Sequence, residues 1–186
     1  MSKLEILASA SALTGVYLTS RKSSAGWTIG ALGSVLYALL FFQGKLYAES
    51  VLQLIYAALG IRGWFLWKND DADSAAPPIK NLNARSFMLG LLSTALLTLA
   101  IGWALSNYSD SDVPWIDALL TASGLIVTVW MMQRYLENWL FWIGIDIASA
   151  VLYFSRSMPI AALVYLVFTA LAVYGYVQWK NNITRD

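Results

Sequence analysis

Seven long apolar stretches, separated by polar breaks, constrain this chain more than any other feature. They fall near residues 4–19, 27–42, 47–67, 86–105, 113–132, 137–154 and 158–179. A helix that crosses a bilayer needs roughly 20 mostly apolar residues, and most of these stretches approach that length. Of the 186 residues 59% are hydrophobic and 12% are charged, too few charges to cover a soluble surface of this size. The fold expected is therefore an all-α integral membrane protein with seven transmembrane helices. The first stretch follows Met1-Ser2-Lys3 and runs on to Tyr17 without a small-residue cleavage pattern, so it reads as the first span.

Two polar segments interrupt the pattern. Residues 68–85 hold Asp70, Asp71, Asp73, Pro77 and Pro78 and read as a solvent loop between two halves. Residues 106–112 form the second break. With seven crossings, the amino-terminal side carries three basic residues, Lys3, Lys45 and Arg156, and the opposite side carries nine. The excess of Lys and Arg marks the cytoplasmic side, which predicts an outside amino terminus and a cytoplasmic carboxyl terminus.

The halves resemble each other. Residues 53–69 and 165–181 share seven identities, Leu54/Leu166, Ala58/Ala170, Leu59/Leu171, Gly63/Gly175, Trp67/Trp179, Lys68/Lys180 and Asn69/Asn181, at an offset of 112. Chance would give about one or two in a segment of this length, so an internal repeat is indicated. Val35-Leu36-Tyr37 matches Val151-Leu152-Tyr153 at an offset of 116, and Arg21 is set against Arg134. Helices 1–3 then repeat as helices 5–7 with helix 4 as a linker. Equivalent helices are separated by an even number of crossings, so the two triple-helix bundles are parallel. The expected divisions are residues 1–69 for the first bundle, 70–112 for loop and linker helix, and 113–186 for the second bundle. Parallel repeats of this kind build transporters whose site lies where the repeats meet.

No Cys and no His is present, which removes thiol catalysis, disulfides, Cys/His metal sites and Ser–His triads. No basic run suggests nucleic acid, and no cofactor, metal or catalytic residue is expected. An intramembrane aspartyl enzyme needs two carboxylates within reach of each other, and only Asp146 lies deep in a span. A scaffold without a transported ligand is the other rival. The densest chemistry is at the start of helix 6. Asn138, Trp142 and Asp146 recur every four residues on one face, flanked by Trp139. Asp146 lies roughly 13 Å along the helix from Glu137, where an acid costs about 2.5–3.5 kcal/mol to insert. It should face an aqueous cavity or a partner such as Arg62. In helix 3, Gln53, Tyr56, Gly60 and Trp64 form a stripe. Trp67-Lys68 and Trp179-Lys180 read as interfacial anchors, and Arg134 with Glu137 as markers of the cytoplasmic boundary. Aromatic walls, a few amides and one anion suit a flat cationic or polar heteroaromatic solute.

Gly63-Trp64-Phe65-Leu66-Trp67, Glu137-Asn138-Trp139-Leu140-Phe141-Trp142, Phe41-Phe42-Gln43 with Leu46-Tyr47, and Gly175 together resemble the nicotinamide riboside transporters of the PnuC type. The resemblance spans nearly the whole chain. It implies a three-plus-one-plus-three architecture related to the sugar-transporting SWEET proteins, homotrimers in the bacterial inner membrane, and facilitated diffusion of an unphosphorylated vitamin. Nicotinamide riboside is the first expectation, with thiamine or riboflavin as the alternative. The substrate-binding residues expected are Gln53, Tyr56, Trp64, Asn138, Trp139, Trp142, Asp146 and Tyr174. Riboside-transporting members carry Asn at the positions of Gly60, Asp146 and Tyr174, so the departures fall on plausible ligand contacts.

Overall fold

A computed structural model describes residues 3–68 and 78–183. Asp70, Asp71, Asp73 and Pro77 of the predicted polar loop lie outside the described residues. Seven helices follow in order among the described residues: α1 (Lys3–Ser20), α2 (Ala25–Gln43), α3 (Tyr47–Trp67), α4 (Ala84–Tyr108), α5 (Pro114–Met132), α6 (Asn138–Ser155) and α7 (Pro159–Ile183). Each covers one predicted stretch. Among the described residues, six of them, α2 to α7, are long and apolar enough to cross a membrane. The first does not reach that criterion, because Lys3, Glu5 and a run of Ser and Thr dilute its apolar residues.

Two compact units emerge. One contains the described residues up to Pro78 together with those from Tyr174 onward, and the other is Ile79–Val173. Within the first unit, α1 and α2 approach until backbone meets backbone. A Cβ added at Gly15 would sit 2.8 Å from the Cα of Gly30, so only glycine permits this spacing. The α2–α3 contact is closed by Ser50, whose hydroxyl donates to the Ala38 carbonyl at 2.9 Å. Gly63 lies flat on the ring of Trp27, where any side chain would collide.

Trp67 and Trp179 correct the sequence reading. They are not anchors at a lipid–water boundary but are 1% and 0% exposed. Trp67 meets Trp27 edge-on at 5.5 Å and Trp179 at 6.0 Å. The Trp179 indole N–H donates to the Ser20 carbonyl at 3.0 Å. Burial is tolerated there because that hydrogen bond replaces the water an interfacial tryptophan would use.

In the second unit, Asn83 caps α4 by accepting from the Ser86 N–H at 2.8 Å. Gly90 and Gly102 lie against the rings of Trp130 and Trp115 of α5. Val127, Trp130 and Tyr135 form a buried cluster, with Phe87, Phe141, Trp142 and Ile145 packed around it. Residues 79–83, the described end of the predicted loop before α4, are tied to the α5–α6 turn. Lys80 donates its N–H to the Arg134 carbonyl at 3.0 Å and accepts from the Leu136 N–H at 2.9 Å.

The turns carry the repeat more sharply than the helices do. Four non-glycine residues among those described have left-handed backbone, Lys22, Lys45, Arg134 and Ser157, with φ of 62°, 60°, 61° and 58°. Each closes a helix in the same way. Lys22 donates to the Thr19 carbonyl and Ser23 to Leu18; Lys45 donates to Phe42 and Leu46 to Phe41. In the second half, Arg134 donates to Met131 and Tyr135 to Trp130; Ser157 donates to Phe154 and Met158 to Tyr153. This paired pattern is the Schellman helix stop. Lys22 to Arg134 and Lys45 to Ser157 are each separated by 112 residues, the offset of the helix 3 and helix 7 identities. Arg134 therefore corresponds to Lys22 and not to Arg21. The Val35 and Val151 match at 116 is displaced by four residues, about one helical turn, which keeps the same face.

Candidate ligand-binding site

The chemistry expected of α6 begins at its first residue. Asn138 is completely buried, Trp139 is 1% exposed and Asp146 is 5% exposed. Asn138 donates its Nδ2 to the Tyr135 carbonyl at 2.6 Å. Only the amide nitrogen can donate to a carbonyl, so this bond fixes the side-chain orientation and turns Oδ1 the other way. That Oδ1 is buried and has no hydrogen-bond partner among the described residues. Trp142 lies one helical turn on, half-buried, with its indole N–H also buried and unpartnered among the described residues. Asp146, a further turn on, has no hydrogen bond or ion pair among them. Buried polar groups are almost always paired. One helix face thus carries an orphaned acceptor, an orphaned donor and a lone carboxylate among the described residues.

The first-unit residues stand differently. Gln53, Tyr56 and Trp64 are half-buried on α3. One face of Trp64 already has the chain's own cation beside it, the Lys68 ammonium 5.5 Å from the ring centre. Arg62, the partner considered for Asp146, is exposed. Tyr174 stacks on Tyr17 at 5.9 Å, and Tyr17 accepts a hydrogen bond from Arg21 at 3.3 Å. Those tyrosines raise the Arg21 guanidinium above its ordinary pKa, the Tyr17 hydrogen bond contributing most. Tyr165 stacks on Tyr153 at 5.3 Å. Tyr165 and Tyr174 of α7 thus pack on neighbouring rings.

Arg134 and Glu137, expected as boundary markers, sit in the α5–α6 turn beside the site. Arg134 is 6% exposed, and burial lowers its pKa. Glu137 accepts the Leu82 N–H at 2.8 Å. Two features escaped sequence reasoning. One is the docking of residues 79–83 on this turn. The other is Trp27, 6% exposed with an orphaned indole N–H among the described residues. Trp27 stands 112 residues before Trp139, and a search at that fixed offset would have found it.

Residues 2–181 match the family described as Nicotinamide mononucleotide transporter. The nicotinamide riboside transporter PnuC of Escherichia coli is 24% identical over 98% of this chain and 87% of its own length. PnuC of Neisseria mucosa is 27% identical over 96% of this chain and 73% of its own. The riboflavin/roseoflavin transporter RibM of Streptomyces davaonensis is 25% identical over 89% of this chain and 79% of its own. The crystal structure of the vitamin B3 transporter PnuC aligns with a TM-score of 0.75 over 98% of this chain and 82% of that one, at 23% identity, a likeness of fold. With six helices among the described residues able to cross a membrane, and matched over nearly its whole length, the chain belongs to the nicotinamide mononucleotide transporter family of membrane transporters.

Proposed function

We propose that this chain imports an unphosphorylated vitamin with a cationic ring, nicotinamide riboside first, by facilitated diffusion. The observation that carries the reading is Asp146, a carboxylate 5% exposed in the middle of α6 with no hydrogen bond or ion pair among the described residues. A ring cation would supply the missing charge. Asn138 Oδ1 would accept from a ribose hydroxyl or a carboxamide N–H, and the Trp142 N–H would donate to an oxygen. Nicotinamide riboside offers all three groups, and the PnuC relatives are named for it. The mononucleotide in the family's description would add a phosphate beside that carboxylate, and like charges at close range in a dry site oppose binding. Thiamine is a second ring cation, and riboflavin, neutral, enters through the RibM relative.

The proposed binding residues are Asn138, Trp139, Trp142 and Asp146 on α6, Gln53, Tyr56 and Trp64 on α3, and Tyr174 on α7. We also propose seven crossings, with residues 1–69 and 113–186 as parallel triple-helix bundles and residues 70–112 as loop and linker helix. The common offset of the four helix stops supports this, and so does the correspondence of α1 with α5, which argues that the less apolar α1 also spans. The amino terminus would lie outside, the carboxyl terminus in the cytoplasm, and three copies would assemble in the bacterial inner membrane.

Transport needs no bond made or broken and, in this reading, no coupled ion. Proteoliposomes of the purified protein should equilibrate nicotinamide riboside without any gradient. Accumulation above the outside concentration that collapses with an uncoupler would refute facilitated diffusion. Binding of nicotinamide mononucleotide as tight as that of the riboside would refute the assignment of an unphosphorylated ligand.

A further inference from the structure

The docked segment 79–83 touches the α5–α6 turn at four places. Two are the backbone pair between Lys80 and residues Arg134 and Leu136, at 3.0 and 2.9 Å. The third is the Lys80 ammonium, 4.6 Å from the ring centre of Tyr135. The fourth is the Leu82 N–H, donated to Glu137 Oε2 at 2.8 Å. Just beyond it, the Ser86 hydroxyl lies 3.0 Å from the Tyr135 hydroxyl. Tyr135 is the hub. Its carbonyl receives both the backbone N–H of Asn138, at 3.2 Å, and the Asn138 side chain, at 2.6 Å. Whatever fixes Tyr135 therefore fixes the direction in which Asn138 Oδ1 points.

We propose that residues 79–83 are a strap that sets the start of α6, and that Glu137 is its clasp and a positioning residue for ligand binding. Glu137 does not need to touch the ligand. Its carboxylate holds Leu82, the strap holds Tyr135 on both sides, and Tyr135 presents the orphaned oxygen of Asn138. A carboxylate that accepts a backbone N–H makes a charge-assisted bond, stronger than a neutral one. The inference rests on the site proposed above, because it gives Asn138 a ligand to meet.

The test is calorimetric binding of nicotinamide riboside to the purified full-length protein, with thermal unfolding measured alongside. Asn138→Ala probes the site itself and should weaken binding about tenfold, the loss of one buried hydrogen bond. Glu137→Ala and Leu82→Pro should each weaken binding by about tenfold too, since each removes one partner of the clasp. The double variant should be no weaker than the weaker single, because both cut the same link. Glu137→Gln, which still offers an acceptor oxygen, should bind within about threefold of wild type. If Asn138→Ala binds as wild type, the site reading fails. If Asn138→Ala is weakened while Glu137→Ala is not, the clasp alone fails. Losses that multiply in the double variant would overturn it, as would Glu137→Gln falling as far as Glu137→Ala. A lowered unfolding temperature at unchanged affinity would also overturn it. Should Glu137→Ala not survive extraction, Leu82→Pro decides by the same affinity criterion.

Discussion

The first three helices and the last three share a skeleton and differ in what they mount on it. Both triplets stop their first two helices with the same left-handed residue and the same pair of backbone hydrogen bonds, 112 residues apart. Both place a buried tryptophan near the start of the middle helix, Trp27 in α2 and Trp139 in α6. Beyond that the two middle helices part. Where α6 carries Asn138, Trp142 and Asp146, α2 carries Gly26, Gly30 and Ser34 at the equivalent positions. Gly26 lets α1 come within backbone contact, since a Cβ there would sit 2.8 Å from the Gly15 carbonyl oxygen. One copy of the repeat is spent on close helix packing and the other on orphaned polar groups. A repeated scaffold need only place chemistry once.

That contrast can be broken by mutation. The largest effect expected is from Trp142→Ala, which removes both a ring face and the buried indole N–H. If the ring stacks on a desolvated cation, binding of nicotinamide riboside should weaken by about 1–3 kcal/mol, with the protein still monodisperse. Trp142 also packs beside the Trp130 cluster, so unchanged affinity in calorimetry would assign it to packing alone. A smaller effect is expected from the shared turns. Lys45 is exposed and left-handed at φ 60°. Lys45→Gly should therefore raise stability by up to about 1 kcal/mol in thermal unfolding. A fall would mean that its side chain holds the turn. The smallest is Ser34→Ala, the counterpart of Asp146 in α2. Riboside affinity should stay within about twofold of wild type, because isolated changes outside a site rarely exceed 0.5 kcal/mol. A loss as large as that of the Asp146 variant would show that both copies of the repeat contribute equally.

Much of the scaffold was legible because its signals are local. Polar breaks fixed the seven helices to within a few residues, and α3 was read at the bounds it adopts. Asn138, Trp142 and Asp146 could be placed on one face from their spacing alone. The strap was not legible, since a pairing through the backbone of Lys80 leaves no side-chain pattern. Trp67-Lys68 misled because an interfacial anchor and a buried tryptophan beside a helix end look alike in sequence. What separates them is the Trp27 and Trp179 rings packed against Trp67, contacts between residues far apart in the chain. Arg21 was set against Arg134 by residue type, whereas backbone conformation assigns Lys22 to that place.

The central claim is that Asp146 completes its site with a cation. The direct measurement is binding of nicotinamide riboside, thiamine and riboflavin to wild type and to Asp146→Asn in the same detergent. An amide keeps the size and a hydrogen bond but loses the charge. Thiamine should weaken by about tenfold to a hundredfold, since charge-assisted contacts are worth about 1.5–3 kcal/mol, and nicotinamide riboside by less, because an amide can still bond its hydroxyls and carboxamide. Thiamine should lose most, because its aminopyrimidine also favours an acid, and neutral riboflavin should bind both proteins alike. If every vitamin that binds does so equally well to the two proteins, Asp146 is a structural residue and the cation site does not exist.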